Sequence, residues 1–191
     1  MLSTAKLTST NFSIQLNESV HDKGSLTGYE GTIVSLAWSP DGLQVIAGSE
    51  DGRLFLWDDV FESQAHFSRE VSKSSITDLD WSDDGRLIAC STHEGAVLIC
   101  DARTLRCKRT ERISRDPLAR IEWSPYGQRI AVAGTDRTVY ILDAMEHGSD
   151  WNMQTGVATT LLSGASVGLS TAEWSSREPT MESWVFGAKA E

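Results

Sequence analysis

A tryptophan recurs in one fixed frame along this chain. Leu36-Ala37-Trp38-Ser39-Pro40-Asp41-Gly42, Leu79-Asp80-Trp81-Ser82-Asp83-Asp84-Gly85 and Ile121-Glu122-Trp123-Ser124-Pro125-Tyr126-Gly127 carry the same pattern. The Trp-to-Trp steps are 43 and 42 residues. An acid, Asp58, Asp101 or Asp143, closes each unit 20 positions after its Trp. A fixed period in this range marks one blade of a β-propeller, a unit that cannot bury its apolar face alone. Stacked repeats of this kind more often serve as binding surfaces than as enzymes.

Each unit reads as a set of short strands. In the first, residues 32–38 form a strand, 39–42 a turn, 43–48 a second strand and 53–57 a third. The Asp51-Gly52 pair between the last two supplies the positive φ of a tight hairpin. Residues 65–69 supply a weaker outer strand. The second unit repeats this at 75–81, 86–91, 96–100 and 105–109, and the third at 118–123, 128–133, 138–142 and 157–162. Even spacing and the lack of any helical pattern give an all-β fold of four-stranded antiparallel sheets. The division is 29–70, 71–113 and 114–163 for three complete blades, with a polar loop at 144–156 in the third. A fourth, partial blade occupies 164–191, where Trp174 repeats the frame. Before the first blade, 1–28 holds one orphan outer strand in which Phe12, Ile14 and Leu16 alternate with polar residues.

These residues resemble WD-repeat proteins. The resemblance rests on Trp57-Asp58, on Ser39-Pro40-Asp41-Gly42 and on Gly48-Ser49-Glu50-Asp51-Gly52. It covers residues 28–143 well and 169–188 weakly. Cys100 and Leu142 stand where the family's closing Trp would be. The family's Gly-His pair is absent, with Gly28-Tyr29, Ser72 and Ser114 near its places. The turn acids Asp51, Glu94 and Asp136 therefore lack the His with which the family builds a network inside each blade, and apolar packing is expected to carry the blades. Residues 74–82 also resemble echinoderm microtubule-associated-protein-like proteins. The run of three blades, with Leu98-Ile99-Cys100-Asp101 ending the second, resembles intraflagellar transport proteins. The family commonly uses seven blades, which at about 42 residues each need about 300 residues. The 191 residues here imply an open arc from a longer protein, completion by another chain, or a closed ring of four. An open arc leaves edges and faces that invite self-association.

Several chemistries find no residues to carry them. Gly164-Ala165-Ser166-Val167-Gly168 has the form of a nucleophile elbow but sits in a Gly/Ser stretch before a strand, not in the strand-turn-helix context that motif needs. His21, His66, His93 and His147 are scattered, without metal spacing, and no phosphate-binding glycine loop is present. No catalysis, cofactor or metal is expected. Cys90, Cys100 and Cys107 form an odd set; with Cys90 and Cys100 at apolar strand positions, buried reduced thiols and a cytoplasmic location are expected. No apolar run approaches a membrane span.

The expected partners are other proteins. The net charge of −10 disfavours nucleic acid and anionic membranes. Against that background Arg103, Arg106, Lys108, Arg109, Arg112, Arg115 and Arg120 crowd into 18 residues, with only Glu111 and Asp116 opposing them in the segment. The segment reads as a solvated blade edge or as a dock for an acidic partner, such as an acidic protein tail or a microtubule. The turns carrying Glu50, His93 and Arg137 form a second candidate surface. Trp151, in the polar loop, is a candidate interface anchor. The four framed tryptophans, Trp38, Trp81, Trp123 and Trp174, are expected in the core. The expected function is a non-catalytic interaction scaffold, with a cytoskeletal or ciliary transport component as the alternative.

Overall fold

The computed structural model describes residues 31–58, 65 and 67–144 with their side chains, and the backbone of 146–147, 150–151, 155–156, 171–174 and 184–187. Blade 1 comprises β1 (Ile33–Trp38), β2 (Val45–Ser49), β3 (Arg53–Trp57) and β4 (Phe67–Glu70). Blade 2 comprises β5 (Ile76–Trp81), β6 (Leu87–Thr92), β7 (Ala96–Asp101) and β8 (Cys107–Arg112). Blade 3 has β9 (Leu118–Trp123), β10 (Arg129–Gly134) and β11 (Val139–Asp143). Its fourth strand is β14 (Thr155–Gly156), which pairs Ile141 with Gly156 and Leu142 with Thr155. Between them β12 (Glu146–His147) and β13 (Asp150–Trp151) pair as a small ladder inside the stretch expected as a loop. β15 (Thr171–Trp174) and β16 (Trp184–Gly187) pair antiparallel in the segment assigned to a fourth blade. The expected orphan strand at 12–16, the outer strand at 157–162 and Ser166 lie outside the described residues.

Blades 1 and 2 are meanders in which every strand pairs antiparallel with its sequence neighbour; in blade 3 the same order holds except that β11 pairs with β14, past β12 and β13. The turns explain the register. Ser39 and Ser82 lie after their Trp and donate to Asp41 and Asp84 at 2.6 and 2.7 Å. The same acids accept the backbone N–H of Leu43 and Arg86, both at 3.0 Å. These Asx-type bonds close the turn before the glycine at its end. At the other end, Gly52 takes φ +80°, and a Cβ there would stand 2.1 Å from the Ser72 carbonyl oxygen. Only glycine combines that φ with that close approach.

Every blade has two apolar faces, and adjacent blades press one against the other. Ile46, Leu54 and Leu56 of blade 1 meet Ile76, Leu79, Trp81, Ile88 and Leu98 of blade 2. Ala89, Val97 and Ile99, on the other face of blade 2, meet Leu118, Ile121, Trp123, Ile130 and Leu142 of blade 3. The first strands β1, β5, β9 and β15 lie side by side, so the blades share one inner line. Trp81 and Trp123 are buried as expected, but Trp38 is 46% exposed. Trp81 and Trp123 are covered by the blade before them. No described blade precedes blade 1.

Two further expectations change. Cys100 is not a free thiol: it is joined to Cys107 by a disulfide, and Cys90 alone is free and buried. The reason is register. The short β7–β8 connection sets Cys100 opposite Cys107, with Leu105 fully buried at its corner at φ 51°. Hydroxyls also stand in for the missing His. Ser49 donates to Asp51, and Ser114 and Tyr140 both donate to Asp136. The Ser74 hydroxyl accepts the Glu94 N–H at 3.1 Å. The blades therefore combine apolar packing with small polar networks at their turns.

Candidate functional site

The inner line of first strands is where the chain buries charge. Asp78, on β5, is 4% exposed. Its Oδ1 accepts the Ser35 hydroxyl of β1 at 2.7 Å, and its Oδ2 accepts the Ile121 N–H of β9 at 3.0 Å. The Arg120 guanidinium stands 3.6 Å from the same oxygen. Two residues on, Asp80 accepts its neighbour Trp81 N–H at 2.9 Å and the Trp123 N–H at 2.7 Å. These carboxylates satisfy N–H groups along the edge of β9 that no strand pairs. Both bonds to β9 span 43 residues, so β5 and β9 run in the same direction. Burial dominates Asp80 and pushes its carboxyl up to about 6, against the backbone N–H groups of Trp123 and Trp81, which favour the charged form. The sequence signal was present, since two acids alternate with apolar residues in a strand flanked by the repeat. Asp78 and Asp80 nevertheless stayed outside the expected site, because no chemical motif flags them.

Same-direction first strands put equivalent turns at the same end of the blades. The turns between second and third strands carry Glu50, His93 and Arg137, all exposed, so these three expected site residues share one end. Each turn is held by backbone bonds: Glu50 N–H to Thr32 C=O at 2.9 Å, His93 N–H to Ser75 C=O at 3.0 Å, and Arg137 N–H to Gly134 C=O at 3.2 Å. Arg137 adopts φ 67°, a left-handed conformation that fixes the direction of its turn.

The basic segment is not one patch. Arg103 and Arg106 lie exposed in the β7–β8 connection, at the end that carries Asp41 and Asp84. Lys108, Arg109 and Arg112 run along β8, and Arg115 follows in the loop at the opposite end. There Arg112, Arg115, Ser114, Asp136 and Tyr140 line one hollow, close to the Arg137 turn. Three of the seven cations face acids: Lys108 stands 3.5 Å from Asp101, Arg109 2.8 Å from Glu111, and Arg120 beside Asp78. The count of opposing acids within the segment missed Asp101 and Asp78, which the fold brings in from outside it. Trp151 belongs to β13, and its side chain lies outside the description. Among the described residues no group of three or more His, Cys, Asp or Glu is gathered as for a metal. Among the same residues no helix is long and apolar enough to cross a membrane.

Comparison with known proteins follows the same frame. The WD domain, G-beta repeat pattern matches residues 21–58 and 106–143, ending at the closing acids Asp58 and Asp143. The WD40 domain of anaphase-promoting complex subunit 4 matches residues 55–119. The chain is 26% identical to protein HIR1 of Candida albicans, over 73% of this chain and 18% of that protein. It is 27% identical to a guanine nucleotide-binding protein subunit beta of Solanum tuberosum, over 39% of this chain and 19% of that one. It is 28% identical to eukaryotic translation initiation factor 3 subunit I of Drosophila grimshawi, over 45% of this chain and 26% of that protein. The matched region spans between about a fifth and a quarter of these relatives' lengths. Pattern and sheet topology are consistent: residues 21–58 and 106–143 match the WD-repeat pattern, and the strands of 33–156 include three four-stranded antiparallel sheets of the propeller-blade kind.

Proposed function

We propose that this chain is a non-catalytic protein–protein interaction scaffold that works within a larger assembly, with its binding groups on one end of the blades and along the outer edge of blade 2. The observation that carries this reading is the gathering of Glu50, His93 and Arg137 at one end of the blades, on turns held by backbone hydrogen bonds. Such turns present side chains on a rigid support, as binding loops do. The names of the relatives support it. Subunit 4, subunit beta and subunit I are each described as part of a multi-component protein. Proximity labelling by the chain in cells tests it, with a variant in which Glu50, His93 and Arg137 are all alanine. The expected result is a reproducible set of labelled proteins that shrinks in the variant while its melting temperature holds. An unchanged set would remove these turns from the binding surface.

The basic segment supports a second reading, in which the chain docks on acidic tubulin tails as a cytoplasmic component of the cytoskeleton or cilium. Arg103, Arg106, Arg112 and Arg115 are exposed and carry the charge this reading needs. Co-sedimentation with microtubules at low salt, lost when Arg106 and Arg112 are neutralised, is the expected outcome. No pelleting at low salt would end this reading.

A further inference from the structure

We infer that the outer edge of β8 takes up an extended acidic peptide, which adds to blade 2 as a fifth strand. The inference rests on the scaffold reading and names one of its binding modes.

Three facts about β8 carry it. It is six residues long, whereas β4, the outer strand of blade 1, has four. It ends the order of its sheet, and no strand among the described residues pairs with its outer side. Its backbone direction is also known. The Ile113 N–H donates inward to Gly95 at 2.9 Å, and N–H groups alternate along a strand, so those of Arg112 and Thr110 point away from the blade. An added strand needs such a row of outward groups.

The side chains select the occupant. Lys108, Thr110 and Arg112 are the exposed members of β8, while Arg109 and Glu111 are half-buried and ion-paired with each other. The edge therefore presents two cations flanking a hydroxyl, with Lys108 3.5 Å from Asp101 and Arg112 donating to the Ser114 carbonyl at 3.2 Å, so an acidic strand would have to compete for them. Arg106 and Arg115, both exposed, extend this line of positive charge past either end of the strand. Two copies of β8 pairing edge to edge would set these cations against each other, which disfavours that contact. The same charges favour a strand bearing carboxylates on alternate residues, whose side chains would stand about 5 Å from their cross-strand neighbours. The chain as a whole has net charge −10, so an acidic peptide is disfavoured elsewhere and its binding is concentrated here. β4 offers no equal. It is shorter and carries a single cation, Arg69, beside an acid, Glu70. A nucleic acid strand would want bases stacked on aromatic rings, and β8 has none.

The test is fluorescence anisotropy with the full chain and a labelled six-residue peptide alternating Glu and Val. The expected result is binding that weakens with salt. It should fall at least about tenfold with Lys108→Glu plus Arg112→Glu. It should fall comparably with Thr110→Pro, which deletes one outward N–H yet is tolerated on an edge strand. It should vanish for the peptide N-methylated on alternate residues, with melting temperatures confirming that each variant folds. Equal binding of the N-methylated peptide would overturn strand addition, since surface charge alone would then explain capture. So would full binding by the double charge variant, or displacement of the peptide by an equimolar uridine oligonucleotide. The scaffold reading fails separately. Peptide binding with no labelled partners in cells would end that reading and leave the edge intact, whereas turn-dependent labelling without peptide binding would end the edge inference alone.

Discussion

The same tryptophan closes the first strand of all three blades, yet it is 46% exposed in blade 1 and 5% exposed in blades 2 and 3. Residue, turn and register are shared, so the difference comes from outside the repeat. Trp81 packs into a cluster with Ile46, Leu54 and Leu56, which belong to blade 1, and Trp123 into one with Ala89, Val97 and Ile99, which belong to blade 2. Trp38 has no described blade before it. Stability in such an array sits largely at the contacts between repeats, and a repeat's core is finished by its neighbour. The comparison extends to other positions of the frame. Ser35, Asp78 and Arg120 are equivalent, as are Asp41, Asp84 and Tyr126, and at each position one blade differs from another in what it contributes.

The sharpest way to break the comparison is to truncate the tryptophans one at a time. Trp81→Ala should cost about 3–5 kcal/mol in urea unfolding, the range for emptying a buried aromatic site. Trp38→Ala, half exposed already, should cost about 1 kcal/mol. Equal losses would mean that Trp38 is covered after all. At the next position, Asp78→Ala strands the Ile121 N–H, the Ser35 hydroxyl and Arg120, and should cost about 2–3 kcal/mol. Ser35→Ala deletes one hydrogen bond and should cost about 1 kcal/mol.

Asp80 adds a pH test. Its carboxyl titrates at about 6 in the folded chain, above the 3.8 of an unperturbed group. The folded state therefore holds this proton more tightly than the unfolded one. The contribution is fully present below pH 3.8 and is lost as pH rises through about 6, a change of up to about 3 kcal/mol. Asp80→Asn should flatten the stability profile over that window, and an unchanged slope would place the titration elsewhere. The smallest effect belongs to the turns. Tyr126→Asp should install the turn acid that blades 1 and 2 possess, beside a Ser124 whose hydroxyl already accepts the Arg129 N–H at 3.0 Å. A gain of about 0.5–1 kcal/mol is expected in thermal unfolding.

Much of the fold is written locally, which is why it was legible. Ser, Asp and Gly after Trp38 and Trp81 make a turn through bonds two to five residues long, and those bonds fix the strands on either side. What escaped reading depends on residues that meet only once strands or blades are paired. The exposure of Trp38 depends on a missing neighbour, and the pairing of Lys108 on an acid across a turn. The Cys100–Cys107 link depends on a tight connection that brings two ordinary strand positions face to face. Of the expected site, the three exposed turns were legible because a turn needs only its own residues. The division of the basic segment between two ends was not, because length along a strand becomes distance only once the strand is placed.

The hydrogen bonds of Asp78 also bear on how the chain folds. Within blades 1 and 2, each strand meets the strand just before it, so the loops to be closed are short and their entropic cost is small. Asp78 ties points 43 residues apart on both sides, to Ser35 and to Ile121. Such ties can form only after two neighbouring meanders exist. Interactions absent from the transition state slow unfolding without speeding folding. A single buried carboxylate thus joins three first strands, and Asp78→Ala is expected to speed unfolding while leaving the folding rate unchanged, as stopped-flow kinetics would read.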